Sequence, residues 1–158
     1  MYTAVAYSAL LSSVASYLVN ERLVGLKHLQ VISGMQRKAY WIGNFVVDLI
    51  KMMFTISATI MCFLFLDMGM ESAVWTYLAM PFGVLPFTYV TSFLFSTESG
   101  AQTSTMFFHF SVLACLANIT YFLRITPSME IVGDYFNYLC RVLPTYPLAS
   151  TVFIAGNQ

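Results

Sequence analysis

Long apolar stretches, separated by short polar connections, run along almost the whole chain. A membrane-crossing helix needs about 20 apolar residues, because each residue adds about 1.5 Å toward about 30 Å of hydrocarbon. Four stretches reach that length, and we predict membrane-spanning helices over residues 2–19, 41–66, 72–95 and 101–123. The pattern therefore predicts an all-α fold, a polytopic transmembrane helix bundle.

Two further segments do not fit a simple crossing. The polar run at 20–39 has apolar positions about three residues apart, which predicts a short amphipathic helix over residues 21–34. The residues alone favour a helix that lies on the membrane surface. The last segment, 126–158, contains an apolar run interrupted by Pro144 and Pro147. Since proline removes a backbone donor and breaks a helix, we expect this segment to be re-entrant or interfacial rather than a fifth crossing.

The distribution of basic residues predicts the orientation. The first connection has four of the chain's seven lysines and arginines: Arg22, Lys27, Arg37 and Lys38. The next two connections contain acidic residues and no basic ones. Because lysine and arginine mark the cytoplasmic side, we predict that segment 20–39 and the connection at 96–100 face the cytoplasm, and that segment 126–158 lies outside.

Composition agrees with a membrane location and excludes several functions. Of the 158 residues, 59% are hydrophobic and only 9% are charged, whereas soluble domains have about 25% charged residues. The formal net charge is zero, so nothing favours nucleic acid as a partner. There is no phosphate-cradling loop and no His-Glu-x-x-His pair. We expect a multi-pass integral membrane protein with no catalytic residue, cofactor or metal site of its own, and therefore no enzyme activity in this chain alone.

Three polar residues fall inside the predicted crossings. Asp48 and Lys51 share one face of the second helix at an i, i+3 spacing, and His109 lies in the fourth. Charges at membrane depth cost about 2.5–3.5 kcal/mol each on insertion scales, so they need partners or access to water. A polar contact with a neighbouring helix, a place on a substrate path, or snorkelling of Lys51 to the cytoplasm meets this need. We expect His109 to face the bundle interior.

Two segments have a more specific residue pattern. In residues 21–51 the pattern is Glu21-Arg22, Lys27-His28-Leu29-Gln30, Ser33-Gly34, Tyr40-Trp41, Asn44-Phe45 and Asp48. In residues 85–102 it is Pro86, Tyr89, Ser92, Phe93, Phe95, Ser99 and Ala101. Both segments resemble the A subfamily of ATP-binding cassette (ABC) transporters, the lipid exporters. Residues 141–156 are similar to that family's external hairpin but lack its Gly-Arg-Gly.

The resemblance implies a role and partners. The chain looks like helices two to five of one transporter half, with part of the hairpin before the sixth, in a type-2 ABC membrane domain. In that family the connection after the second helix docks in a groove of the nucleotide-binding domain. The coupling contacts would then be Glu21, Arg22, Lys27, His28 and Gln30. The implied partners are that domain, the second transmembrane half, the bilayer and a lipid-like substrate. ATP and Mg would act only through the nucleotide-binding domain.

The residues alone leave other classes of membrane protein open. One alternative is a small channel or a secondary transporter, and another is an integral membrane enzyme or a receptor-like scaffold. Secondary transporters often have paired broken helices in internal repeats, whereas only the third predicted helix contains prolines, Pro81 and Pro86. An enzyme should show clustered His, Asp or Glu at membrane depth, and the sequence shows no such cluster.

Overall fold

The computed structural model describes residues 2–65 and 71–155, and every regular element in these ranges is helical. The elements are α1 (Tyr2–Leu23), α2 (Leu26–Ile32), α3 (Arg37–Phe65), α4 (Glu71–Ser92), α5 (Glu98–Phe110), a π-helical segment (Ser111–Leu116), α6 (Ala117–Ile125), α7 (Glu130–Cys140) and α8 (Tyr146–Ala155). The predicted all-α fold is confirmed. Part of the predicted second connection, at 66–70, and the chain end, at 156–158, lie outside the described residues.

Two helices in the described ranges are long and apolar enough to cross a membrane. The first is α3, with 29 residues and a mean hydropathy of 1.8. The second is Glu98–Ile125, in which α5, the π-helical segment and α6 form 28 continuous residues with a mean hydropathy of 1.7. Beside them, α1 and α4 have 22 residues each, which is a length of about 33 Å.

Helix α1 lies inside the bundle and packs against α3, α4 and α5, most extensively against α5. Small side chains are buried on α1 and α5, including Ser8 and Ser12 on α1 and Ala101 and Thr105 on α5. Small residues let membrane helices approach closely. The contact between α1 and α5 therefore forms the centre of the bundle, and larger buried side chains such as Tyr7 fill the space toward α3 and α4.

The first polar connection differs from the predicted amphipathic helix over 21–34. Helix α1 continues to Leu23, and α2 has only seven residues. Two glycines with positive φ lie on either side of α2: Gly25 at +76° and Gly34 at +95°. Glycine adopts this left-handed backbone without steric cost, so the chain turns sharply before and after α2.

The prolines differ in their position relative to the helices, and Pro144 lies in the break between α7 and α8. Helix α4 continues through Pro81 and Pro86. Helix α8 contains Pro147 in its first turn, where a missing N–H leaves no internal hydrogen bond unmade. With 11 and 10 residues, α7 and α8 are each too short to cross a bilayer, and five residues separate them.

Candidate functional site

Asp48 is buried between α3 and α4 and has two donors. Its carboxylate accepts a hydrogen bond from Tyr89 Oη at 2.7 Å, and Lys51 Nζ lies 3.1 Å from its other oxygen. The Asp48 side chain is 6% exposed, whereas that of Lys51 is 54% exposed. Asp48 thus contacts a neighbouring helix, whereas most of the pair's exposed surface belongs to Lys51.

Glu21 forms a second buried contact, between α1 and α3. Its side chain is 5% exposed, and Tyr40 Oη donates a hydrogen bond to its carboxylate. Burying a carboxylate is costly unless donors compensate for the lost water, so this contact fixes the end of α1 against the start of α3. The predicted placement of Glu21 on the amphipathic helix is corrected, because its partner lies inside the bundle.

Arg22 links the same end of α1 to the end of α4. Its guanidinium donates hydrogen bonds to the backbone carbonyls of Ser92, at 3.1 Å, and Phe95. Its Cζ lies 5.4 Å from the centre of the Phe93 ring, within the range of a cation–π interaction. A cation is favourable beside the unpaired carbonyls at a helix C-terminus. Arg22, like Glu21, therefore makes internal contacts and lies outside α2.

The first turn of α5 is connected to α1 as well. Ser16 Oγ donates to Glu98 Oε1 at 3.1 Å, and Thr97 caps the helix by accepting from the Gly100 N–H at 3.3 Å. We call the four contacts described so far the interhelical polar network: Asp48–Tyr89, Glu21–Tyr40, Arg22 with the Ser92 and Phe95 carbonyls, and Ser16–Glu98. It joins α1, α3, α4 and α5 at the end of the bundle from which α2 projects.

Helix α2 itself is mostly uncovered. Three of its apolar side chains are exposed: Leu26 by 43%, Leu29 by 62% and Ile32 by 82%. His28 is also exposed, and Gln30 is half-buried. Lys27 belongs to α2 by its backbone, but its side chain lies outside the described part of the structure. Of the five predicted coupling residues, three are therefore on α2 and two are in the interhelical polar network.

His109 lies in the long helix, two residues before the π-helical segment, and faces the bundle interior. It is completely buried, with its ring edge-on to Phe108 at 5.2 Å and to Phe87 at 6.2 Å. Neither ring nitrogen has a hydrogen-bond partner among the described residues. In the same ranges, no group of three His, Cys, Asp or Glu side chains could hold a metal ion.

Sequence reasoning did not identify Tyr40 or Tyr89 as hydrogen-bond donors, although each donates to a buried carboxylate. A signal was present, because both tyrosines are positions of the pattern that resembles the A subfamily. The structure brings the two pattern segments together, with Trp41 also lying 5.9 Å from Tyr89 and 6.1 Å from Phe93, measured between ring centres. The site is therefore the contact between these segments, together with α2.

Comparisons with known proteins agree with this arrangement. Residues 1–153 match the family described as ABC-2 family transporter protein. The chain is 29% identical over 119 residues to ATP-binding cassette sub-family A member 7 of Rattus norvegicus. This alignment covers 71% of the chain and 5% of the relative. It is 33% identical over 104 residues to the retinal-specific phospholipid-transporting ATPase ABCA4 of Bos taurus, in an alignment that covers 59% of the chain and 4% of the relative. It is 22% identical over 169 residues to ATP-binding cassette sub-family A member 2 of Rattus norvegicus, in an alignment that covers 100% of the chain and 7% of the relative.

The chain belongs to the ABC-2 family of transporter proteins. It is an integral membrane protein and is similar to the membrane part of ABC transporters of the A subfamily, rather than to a channel or a secondary transporter. It spans less than a tenth of the length of these relatives.

Proposed function

We propose that this chain is part of the membrane domain of an ATP-driven transporter that moves lipids or other amphipathic molecules, and that α2 is its coupling helix. One observation supports this above all: α2 exposes Leu26, Leu29 and Ile32, yet α1 leads directly into it and ends in buried contacts with α3 and α4. A partner domain could contact the exposed α2, and the buried contacts at the end of α1 would transmit a displacement of α2 to the bundle.

The apolar positions of α2 favour a protein partner. Leu26 and Leu29 are three residues apart, and Ile32 follows after three more, so they lie near one another along the helix. A short helix with such a face docks in a hydrophobic groove. His28 and Lys27 would supply polar contacts beside it. In this proposal the partner is the nucleotide-binding domain, which binds ATP and Mg.

The interhelical polar network would transmit the movement. Glu21 and Arg22 lie in the last turn of α1, five and four positions before α2 begins. A displacement of α2 would act on α1, and through Tyr40 and the Ser92 carbonyl on α3 and α4. Glu21 and Arg22 therefore act as internal links in the proposal, while direct contact with the partner domain is left to Lys27, His28 and Gln30.

The proposed topology has four crossings, formed by α1, α3, α4 and the long helix Glu98–Ile125, with α2 on the cytoplasmic side. The lengths of α1 and α4 support this, because about 33 Å exceeds the hydrocarbon thickness of about 30 Å. Arg22 at the end of α1, Lys27 in α2, and Arg37 and Lys38 at the start of α3 support the orientation. Helices α7 and α8 would form the re-entrant or interfacial segment on the outer side.

A lipid-like substrate is supported by two observations. One relative is by its name a phospholipid-transporting ATPase. In addition, a groove of about 440 Å³ between α3 and α4 is lined by apolar side chains, among them Trp41, Phe45 and Pro86. The second transmembrane half and the bilayer complete the proposed set of partners.

The test measures lipid translocation and ATP hydrolysis together in the complete transporter, reconstituted in proteoliposomes. The double variant Lys27→Ala, His28→Ala should hydrolyse ATP but move fewer lipid molecules per ATP. A matched double variant, Tyr135→Ala with Tyr138→Ala, changes two exposed side chains at the other end of the long helix and should keep the wild-type ratio. An unchanged ratio in the α2 variant would exclude a coupling role for these two residues.

A further inference from the structure

A cavity of about 340 Å³ lies where α6, α7 and α8 meet. It is at the end of the long helix Glu98–Ile125 that lies farthest from α2, since Ala117 and Thr120 of α6 line one wall. Its volume is in the range of sites for small ligands or their polar groups. The interhelical polar network and the apolar groove lie elsewhere, so this is a separate site.

The lining of the cavity contains charges of both signs. Arg124, Glu130 and Arg141 contribute to it, and Arg124 Nε pairs with Asp134 Oδ1 at 2.9 Å. Within the described ranges, neither Glu130 nor Arg141 forms an ion pair with another side chain. One positive and one negative charge are therefore left to face the cavity. A simple anion would meet Glu130 and a simple cation would meet Arg141, whereas a zwitterion can satisfy both.

Neutral groups add donors next to the arginines. Tyr146 Oη donates to Asn137 Oδ1 at 3.0 Å, which leaves the amide N–H groups of Asn137 to donate to a ligand. Burial raises the pKa of Tyr146, while the positive charges of Arg124 and Arg141 oppose that rise. Both arginines line the same cavity as Tyr146 and Asn137.

We propose that this cavity binds the zwitterionic phosphodiester headgroup of a phospholipid, with its phosphate at Arg141 and Asn137 and its ammonium group at Glu130. A planar guanidinium matches the oxygens of a phosphate. The proposal rests on the proposed function for its setting, because the end of a membrane-spanning helix lies at the depth of lipid headgroups. It adds a place where the outer-leaflet headgroup is held and the residues that hold it.

The experiment is a competition between two lipids. The protein, purified in detergent without nucleotide, is given equal amounts of phosphatidylcholine and phosphatidylglycerol with the same acyl chains, and native mass spectrometry counts the bound lipids. Wild-type protein should retain more phosphatidylcholine. Glu130→Gln removes the partner of the ammonium group and should lower the ratio of phosphatidylcholine to phosphatidylglycerol by roughly tenfold, as expected for one charged hydrogen bond. Arg141→Gln should weaken retention of both lipids.

Two controls keep the result specific. Arg37→Gln changes an exposed arginine of α3 at the other end of the bundle and should leave both retention and ratio unchanged. The charge swap, Glu130→Arg with Arg141→Glu, keeps one charge of each sign and should bring the ratio back toward wild type. Glu130 and Arg141 are both exposed, so glutamine in either place should not disturb folding.

Two outcomes would overturn the proposal. In the first, the ratio is the same in wild-type protein, Glu130→Gln and Arg37→Gln. In the second, glycerophosphocholine, which has no acyl chains, displaces the lipid as well as phosphatidylcholine does, which would make the ligand a soluble phosphodiester. The assay contains no ATP and no hydrolysis step, so it is independent of coupling through α2. A transporter without coupling through α2 would still show the predicted lipid preference if the cavity binds the headgroup. A transporter without this lipid preference would still show coupling through α2.

Discussion

Tyr89 donates a hydrogen bond to Asp48 at 2.7 Å, across 41 positions of the chain, and thereby joins α4 to a buried carboxylate of α3. Lys51 balances the charge of the same carboxylate from an exposed position. The buried Asp48 carboxylate thus has both a hydrogen-bond donor and a counter-ion. These contacts offset the cost of its burial and connect α3 to α4.

This connection predicts a measurable coupling between the two residues. Tyr89→Phe should lower the free energy of unfolding by about 1–2 kcal/mol, because it removes one hydrogen bond to a charged group. In an Asp48→Asn background the same change should cost less, since the acceptor no longer has its charge. Unfolding of the four proteins of this double-mutant cycle in nanodiscs gives the coupling energy. Effects that simply add would contradict a direct interaction.

The turn before α2 should depend on the backbone freedom of Gly25. At φ +76° an alanine is strained although no atom lies within 4 Å of its Cβ, so Gly25→Ala should destabilise the protein by about 1–2 kcal/mol. Gly25→Asn should be milder, because asparagine tolerates this conformation better. Thermal unfolding in detergent distinguishes them. Equal losses for the two variants would show that the left-handed backbone is not the cause.

Gly133 should be required for the close approach of α7 to α6. A Cβ at this position would lie 2.9 Å from Arg124 Cγ and 3.0 Å from the Arg124 backbone nitrogen. Gly133→Ala must therefore push the helices apart, at a cost of about 1–3 kcal/mol. The control is Gly43→Ala, where a Cβ meets nothing within 4 Å. If thermal unfolding shows equal effects for both variants, the packing of α6 on α7 is not as tight as described.

Cysteine reactivity should report the packing of α7. Cys140 is 5% exposed and burial raises the pKa of its thiol, so less of the reactive thiolate is present at neutral pH than for a free cysteine. Tyr138, on the same helix, is 77% exposed. Maleimide should label a Tyr138→Cys thiol much faster than Cys140, and mildly alkaline pH should accelerate labelling of Cys140. Equal rates at neutral pH would show that this side of α7 is open.

Local patterns in the sequence were sufficient for the helical fold and for the pairing of Asp48 with Lys51, because apolar length and an i, i+3 spacing depend only on neighbours along the chain. The partner Tyr89 could not be found in this way, since the contact depends on how α3 and α4 pack. The end of α1 was misplaced for a related reason. Glu21 and Arg22 are polar and were expected to leave the helix, yet tertiary partners allow α1 to continue past them.

The cavity between α6, α7 and α8 was equally hidden in the sequence. Pro144 and Pro147 predicted a broken segment, but not that Tyr146, which lies between them, would meet Asn137. The π-helical segment at 111–116 has no residue signature either, and it begins two residues after His109. Both features arise from the way the helices pack. The hydrophobic pattern predicts where helices lie along the chain, but not how they pack against one another.

The most direct test of the account asks what α2 touches in the complete transporter. The photo-reactive residue p-benzoylphenylalanine is placed at the position of Leu29, on α2, and in a second protein at the position of Tyr138, both of them exposed. After irradiation in native membranes, mass spectrometry identifies the cross-linked peptides. If α2 is the coupling helix, position 29 should cross-link to the nucleotide-binding domain, and position 138 should not. Cross-links from position 29 to lipid alone, with none to the nucleotide-binding domain, would contradict it.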